Sequence, residues 1–290
     1  MSKTAASLRA LSRRTWIGPV ILGAVALIVG VATTSVSSAA SSGLPTLRLA
    51  LDGRSVRVSG ALQSGAVDVV SSVSVKHTEP VLIRLNPGVP FSAFAQAAAA
   101  INTHHGDLNY LDPYGSIVFD VSADQGTTAA QTSLQPGNYV AVDISSSNPN
   151  PPLATFVIGA AAAQPRSLPR PGATISAIDF GFRGPSTLHD GELVRFQNSG
   201  FLVHPLQGIG VTSARNARRL TALLRAANDR EAPKLGISFP EFAGPLSPGG
   251  AQQELINERP GLYVLASILR TQDGREQTQL GMVRTIRIVK

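Results

Sequence analysis

A chain of 290 residues exceeds the roughly 100–200 residues of a typical domain, so two domains with separate cores are expected. Aromatic residues make up only 5% while Gly (27) and Pro (20) are frequent, which favours short strands joined by turns, and the absence of Cys excludes disulfides, thiolate metal sites and cysteine nucleophiles. Four of the positive residues behind the formal charge of +7 (Lys3, Arg9, Arg13, Arg14) sit at the N-terminus; the remaining +3, without an aromatic-rich basic strand, argues against a nucleic-acid partner.

The first 15 residues are basic, residues 16–32 are uncharged and apolar, and Ser37-Ser38-Ala39-Ala40 supplies small residues for cleavage. That is the layout of an export signal over residues 1–40. Within it, Ser12-Arg13-Arg14-Thr15-Trp16-Ile17 resembles the twin-arginine export motif. A helix of this apolar run would span about 26 Å, close to the ~30 Å hydrocarbon core, so a cleaved signal peptide and a retained transmembrane helix both remain open. In either case residues 41–290 lie outside the cytoplasm, and the membrane is touched only through an uncleaved N-terminal segment.

An Ala/Pro/Arg stretch at residues 160–172 marks a linker between a first domain, 44–159, and a second, 173–290. The halves form an internal repeat. Gly65 precedes His77 by 12 residues and Gly137 by 72; Gly191 precedes His204 by 13 and Gly261 by 70. Short runs rich in Val, Ile and Phe predict strands at 54–58, 67–75, 117–121, 139–144 and 155–158, and again at 174–178, 193–197, 263–268 and 283–289. Each half also carries a helical insert, at 91–101 and 213–227. In the second, Ala214, Ala217, Leu220, Leu224 and Ala227 recur at helical spacing while Arg215, Arg218, Arg219 and Arg225 fall mainly elsewhere.

The second half closes with Pro260-Gly261-Leu262-Tyr263-Val264-Leu265-Ala266-Ser267, then Asp273-Gly274, then Gly281-Met282 and a last strand. This pattern resembles the cupredoxin-like domains of exported bacterial proteins, and the repeat extends the resemblance to the first half. The implied fold is all-β: two tandem cupredoxin-like Greek-key β-sandwich domains, each with a short helical insert, after the N-terminal hydrophobic signal or anchor helix. The resemblance puts His204 at the first imidazole position of a blue-copper site, Ser267 at the cysteine position, Gln277 at the second histidine position and Met282 at the axial position. A type 1 copper site needs two imidazoles and a thiolate, so these four residues mark a degenerate site and no metal or other cofactor is expected. In the first half Asp143 falls at the cysteine position, leaving His77 without a partner ligand.

Other constellations read as structural. Adjacent His104 and His105, near Asp107, Asn109 and Asp112, point apart in an extended or coiled segment and form a polar loop. His189-Asp190 belongs to a turn. No Gly-x-Ser-x-Gly elbow or phosphate loop is present, so no enzyme activity is expected. The implied function is that of an exported, non-catalytic binding or structural module of the cell envelope. Its partner is an envelope component or a protein, meeting a patch at the loop ends around His204, Ser267, Gln277 and Met282. One alternative is a copper-handling protein of low affinity using His204 and Met282. Another is an enzyme using a carboxylate such as Asp143 with a perturbed carboxyl group.

Overall fold

The computed structural model describes residues 43–75, 78–123, 126–144, 151–161, 164–228 and 230–290. The expected export segment 1–40 and His77 lie outside them. Among the described residues no helix is long and apolar enough to cross a membrane.

The first half runs β1 (Thr46–Leu51), β2 (Val56–Gly60), β3 (Gly65–Val73), β4 (Pro80–Leu85), helix α1 (Phe91–Ala100), two short 3₁₀ turns (Ile101–His104 and Leu108–Leu111), β5 (Gly115–Asp120), β6 (Gly126–Leu134), β7 (Gly137–Asp143) and β8 (Leu153–Ile158). The second half repeats it with β9 (Ala173–Ile178), β10 (Gly181–Arg183), β11 (Thr187–His189), β12 (Leu193–Asn198), β13 (His204–Val211), helix α2 (Ala214–Arg225), a 3₁₀ turn (Ala232–Leu235), β14 (Glu241–Leu246), β15 (Ala251–Leu255), β16 (Gly261–Ala266), the short helix α3 (Gln277–Leu280) and β17 (Val283–Val289). The marks of the repeat occupy matching places: Gly65 opens β3 and Gly191 precedes β12, while Gly137 and Gly261 open β7 and β16.

Each half is a cupredoxin-like sandwich of two sheets. In the first, β6-β3-β1-β2 faces β5-β4-β7-β8; in the second, β10-β9-β12-β15 faces β11-β17-β16-β13-β14. Both contain the same parallel pair, β1 with β3 and β9 with β12. Alternation aims Leu47, Leu49 and Leu51 of β1 into one core with Val67, Phe119 and Tyr139. Ile175, Phe196, Leu265 and Ile286 do the same in the second. Each helix covers the outer face of the sheet that is not shared between the halves, β5-β4-β7-β8 in the first and β11-β17-β16-β13-β14 in the second. Phe94, Ala97 and Ala98 of α1 pack there, as do Ala217, Leu220 and Leu224 of α2, whose four arginines face solvent and whose N-terminus is capped by the Ser213 hydroxyl accepting from Asn216 N–H at 3.1 Å.

The two sandwiches share one sheet. Strand β6 pairs antiparallel with β15 (Thr132 with Gln252, Gln131 with Gln253), producing a continuous eight-stranded sheet. A side-chain ladder crosses the join. Gln131 Nε2 donates to Asp68 at 2.9 Å, Gln253 Nε2 to Gln131 Oε1 at 2.7 Å, and Arg195 Nε to Gln253 Oε1 at 2.9 Å. The Thr132 hydroxyl lies 2.9 Å from both Val118 O and Ala251 O. β15 carries no hydrophobic signature and β6 only a weak one (Ala130, Leu134), because the buried positions at the join hold Thr132, Gln252 and Gln253, which are satisfied across the domain boundary.

The repeat also reproduces a tyrosine corner. Tyr139 Oη donates to Gln135 O at 2.8 Å and accepts from Gln135 N–H at 3.1 Å; Tyr263 Oη donates to Arg259 O at 2.7 Å. Replacing Tyr139 by Phe strands both backbone groups, so Tyr139→Phe should cost about 1–2 kcal/mol and Tyr263→Phe about 1 kcal/mol. Urea unfolding followed by circular dichroism checks the order; equal midpoints for both variants and the wild type would contradict it.

Candidate functional site

The four positions singled out by the sequence converge at one end of the second sandwich. His204 opens β13, Ser267 follows β16, Gln277 opens α3 and Met282 precedes β17. All four are completely buried. Backbone bonds hold the loops together: Ser267 N–H donates to Met282 O at 3.1 Å, Met282 N–H to Gln277 O at 3.0 Å, and Gln277 N–H to Leu269 O at 2.8 Å.

The side chains satisfy one another. Gln277 Nε2 donates to Val203 O at 2.9 Å, which turns Oε1 toward His204 Nδ1 at 2.7 Å and the donating Ser267 hydroxyl at 2.5 Å. On the other side of the ring, His204 Nε2 stands 2.8 Å from Asp179 Oδ1. Asp179 was not marked by the sequence: it follows β9, and only the fold brings it to His204. Its Oδ2 accepts Phe201 N–H at 2.7 Å and its Oδ1 accepts Leu202 N–H at 3.3 Å. Partial burial pushes its carboxyl up, but the Phe201 N–H, His204 and the Leu202 N–H outweigh this and hold it below the ordinary 3.8.

These partners fix the chemistry of His204. Nδ1 faces the Gln277 amide oxygen and Nε2 the Asp179 carboxylate, so both ring nitrogens are engaged by protein side chains and neither is turned toward a metal. With a hydroxyl at the thiolate position and a neutral amide at the second imidazole position, the donor set does not fit a copper ion. Gly200 makes room for this pairing, since a Cβ there would stand 2.7 Å from Asp179 Oδ1 and 2.9 Å from His204 Nε2.

The first domain covers this end. Val203 N–H donates to Asn109 Oδ1 at 2.6 Å, and Val203 and Leu269 pack with Phe94, Ile101 and Leu108. The expected accessible patch around His204, Ser267, Gln277 and Met282 is therefore corrected: none of the four is exposed. The neighbouring histidine pair lies on the covering loop. His104 stacks on Tyr110 with ring centroids 3.7 Å apart, His105 is exposed, and Asp107 accepts from Asn109 N–H at 3.0 Å as the cap of a 3₁₀ turn. In the turn at His189, Glu192 rather than Asp190 accepts the His189 N–H, at 2.9 Å.

A second constellation escaped the sequence reading. Glu79 ahead of β4, Asp120 at the end of β5 and Glu241 at the start of β14 each place a carboxylate oxygen within 4.8 Å of the other two. Asp143 is adjacent, accepting Glu79 N–H at 3.3 Å. Burial, then the negative charge of Glu241 and Asp143, pushes Glu79 well above the carboxylate range. Burial, then Glu79 and Glu241, does the same for Asp120; burial takes Glu241 to about 7. The one available signal was an acid ending the apolar run Ile117-Val118-Phe119-Asp120. Of these shifted carboxyls, Glu79 is the one beside Asp143.

No family model and no curated protein matches the chain in sequence. Among solved structures it is similar to auracyanin from Roseiflexus castenholzii (16% identity, TM-score 0.25, covering 40% of this chain and 95% of that one). It is also similar to a copper-containing nitrite reductase from Thermus scotoductus (13%, TM-score 0.23, 84% of this chain and 61% of that one). A third is a multicopper oxidase from Campylobacter jejuni (8%, TM-score 0.22, 84% of this chain and 55% of that one). These neighbours are copper proteins, and at such scores they assign no activity. The expectation that the chain is not an enzyme is withdrawn: nitrite reductases and multicopper oxidases stand among these neighbours. Clustered, shifted carboxyls such as Glu79, Asp120 and Glu241 match no sequence motif, and such groups concentrate at functional sites.

Asp179→Ala leaves the buried His204 Nε2 without its hydrogen-bond partner and should cost about 1–3 kcal/mol. A lowered carboxyl stabilises above its unfolded value, so the wild type should keep this contribution above pH 3.8 and lose it as the pH falls through the lowered value. Urea midpoints across pH check both; an unchanged midpoint at pH 7 would refute the pairing.

Proposed function

We propose that the protein acts outside the cytoplasm as a two-domain binding or structural module of the cell envelope, in which an internal hydrogen-bond cluster replaces the copper position of the second domain. The observation that carries this reading is the closed set His204, Gln277, Ser267 and Asp179. It uses both imidazole nitrogens and both lone pairs of the Gln277 amide oxygen. The basic, apolar and small-residue order of residues 1–40 supports export. The partner is an envelope component or a protein. It meets a surface other than the His204 end, which the first domain covers.

Cu(I) and Cu(II) titrated into the full-length chain against competing chelators should bind no more tightly than to an unrelated histidine-containing protein, and His204→Ala or Met282→Ala should make no difference. A single Cu(I) site weakened by both substitutions would replace this reading with copper handling through His204 and Met282.

The positional correspondence has its own test. A chain carrying Ser267→Cys and Gln277→His presents two imidazoles and a thiolate beside Met282, and should bind Cu(II) with the intense visible absorption of a copper–thiolate bond. A folded double variant that stays colourless would refute the correspondence.

A further inference from the structure

The junction of the sandwiches buries three acids without the groups that usually accompany buried acids. Glu79 Oε1, Asp120 Oδ1 and Glu241 Oε1 are sealed from solvent and accept no hydrogen bond, and Asp120 is only 1% exposed. Among the described residues none of the three makes an ion pair with Lys, Arg or His. An unpaired ionised carboxylate is among the costliest groups to enclose, so oxygens gathered in this way call for a cation or for protons.

We infer that Glu79, Asp120 and Glu241 hold one Ca²⁺-sized divalent cation that ties the two domains together. Three features of the surroundings orient oxygens toward a common point. Gln252 brackets Asp120, accepting from its N–H at 3.1 Å and donating to its carbonyl at 3.0 Å, which fixes where the carboxylate leaves the backbone. The Ser122 hydroxyl donates to Glu241 Oε2, leaving Oε1 directed inward. Gly244 of β14 passes directly over Asp120, where a Cβ would stand 2.3 Å from both Cγ and Oδ1 of the acid; only glycine lets the strand close on the site.

The donor set decides the ion. All donors are carboxylate oxygens, which suit hard cations and not copper. Ca²⁺ sits about 2.3–2.6 Å from its ligands, so two ligands on one ion stand up to about 5 Å apart. Oxygens within 4.8 Å of one another satisfy that limit. Mg²⁺ demands near-octahedral geometry and keeps several waters, whereas Ca²⁺ accepts an irregular set of carboxylates. Because Glu79 and Asp120 come from the first sandwich and Glu241 from the second, the ion bridges them. The inference is independent of the proposed closure of the copper position.

The test is calorimetric titration of the full-length chain with CaCl₂ at pH 8, with MgCl₂ and NaCl of matched ionic strength as controls, together with thermal unfolding. One Ca²⁺ per chain is expected, with Tm raised by several degrees at a hundredfold excess over Kd. The shift should be small with Mg²⁺ and lost in Asp120→Asn and Glu241→Gln; if these variants fail to fold, Glu79→Gln at the less buried rim serves. No Ca²⁺-dependent heat or Tm shift, or a shift that survives the substitutions, overturns the proposal. Carboxyls raised in the folded state stabilise below their unfolded value and lose that as pH rises, for Glu241 from 4.5 through about 7. If that decline is the same with and without Ca²⁺, the acids hold protons and no cation, and the proposal falls.

Discussion

The pairing of β6 with β15 is the constraint on which the rest of the molecule depends. Each sandwich alone would present that strand as an open edge, and both strands are too polar to be covered by an ordinary apolar surface. Joining them satisfies the backbone edges and the side chains together, through the ladder from Asp68 by way of Gln131 and Gln253 to Arg195. Hydrogen bonds at about 0.5–1.5 kcal/mol each contribute modestly, but leaving these buried amides unpaired would cost more, so the join is specified chiefly by what separation would strand.

Once that edge is fixed, the second layer has little freedom. Strand β14 is brought over β5, where Ser247 N–H donates to Ile117 O at 3.0 Å and the Ser247 hydroxyl accepts Ile117 N–H at 2.9 Å. Gly244 then lies against Asp120 and Glu241 faces Glu79. On the helical side, the 3₁₀ turns of the first half are laid over the loop that leads to His204, and Val203 and Leu269 complete the first half's outer core. One sheet junction thereby creates a buried carboxylate group and closes the end of the second sandwich.

The two constellations answer burial of polar groups in opposite ways. Around His204 the buried side chains meet hydrogen-bond partners, and the ring faces a carboxylate held below its ordinary range by backbone N–H groups and by His204 itself. At Glu79, Asp120 and Glu241 like charges meet, and each keeps a sealed oxygen without a donor. A satisfied network of the first kind rigidifies a fold. An unsatisfied group of the second kind is what a ligand completes.

Much of the fold was legible in the sequence. Period-two patterns located strands such as β9 and β17, the three- and four-residue spacing located α2, and the repeated Gly and Pro-Gly marks exposed the duplication, because all of these are local consequences of one buried face. The resemblance named His204, Ser267, Gln277 and Met282, and the fold gathers them. Asp179 was not legible, since its role arises only where the end of β9 passes the start of β13. Nor were β6 and β15, because β15 buries Gln252 and Gln253 and β6 sets Thr132 between its two buried apolar residues, Ala130 and Leu134. The meeting of Glu79, Asp120 and Glu241, separated by up to 162 residues, could be decided only by tertiary structure. Each acid taken alone reads as an ordinary strand end, and the burial that makes it chemically distinct is supplied by the other domain.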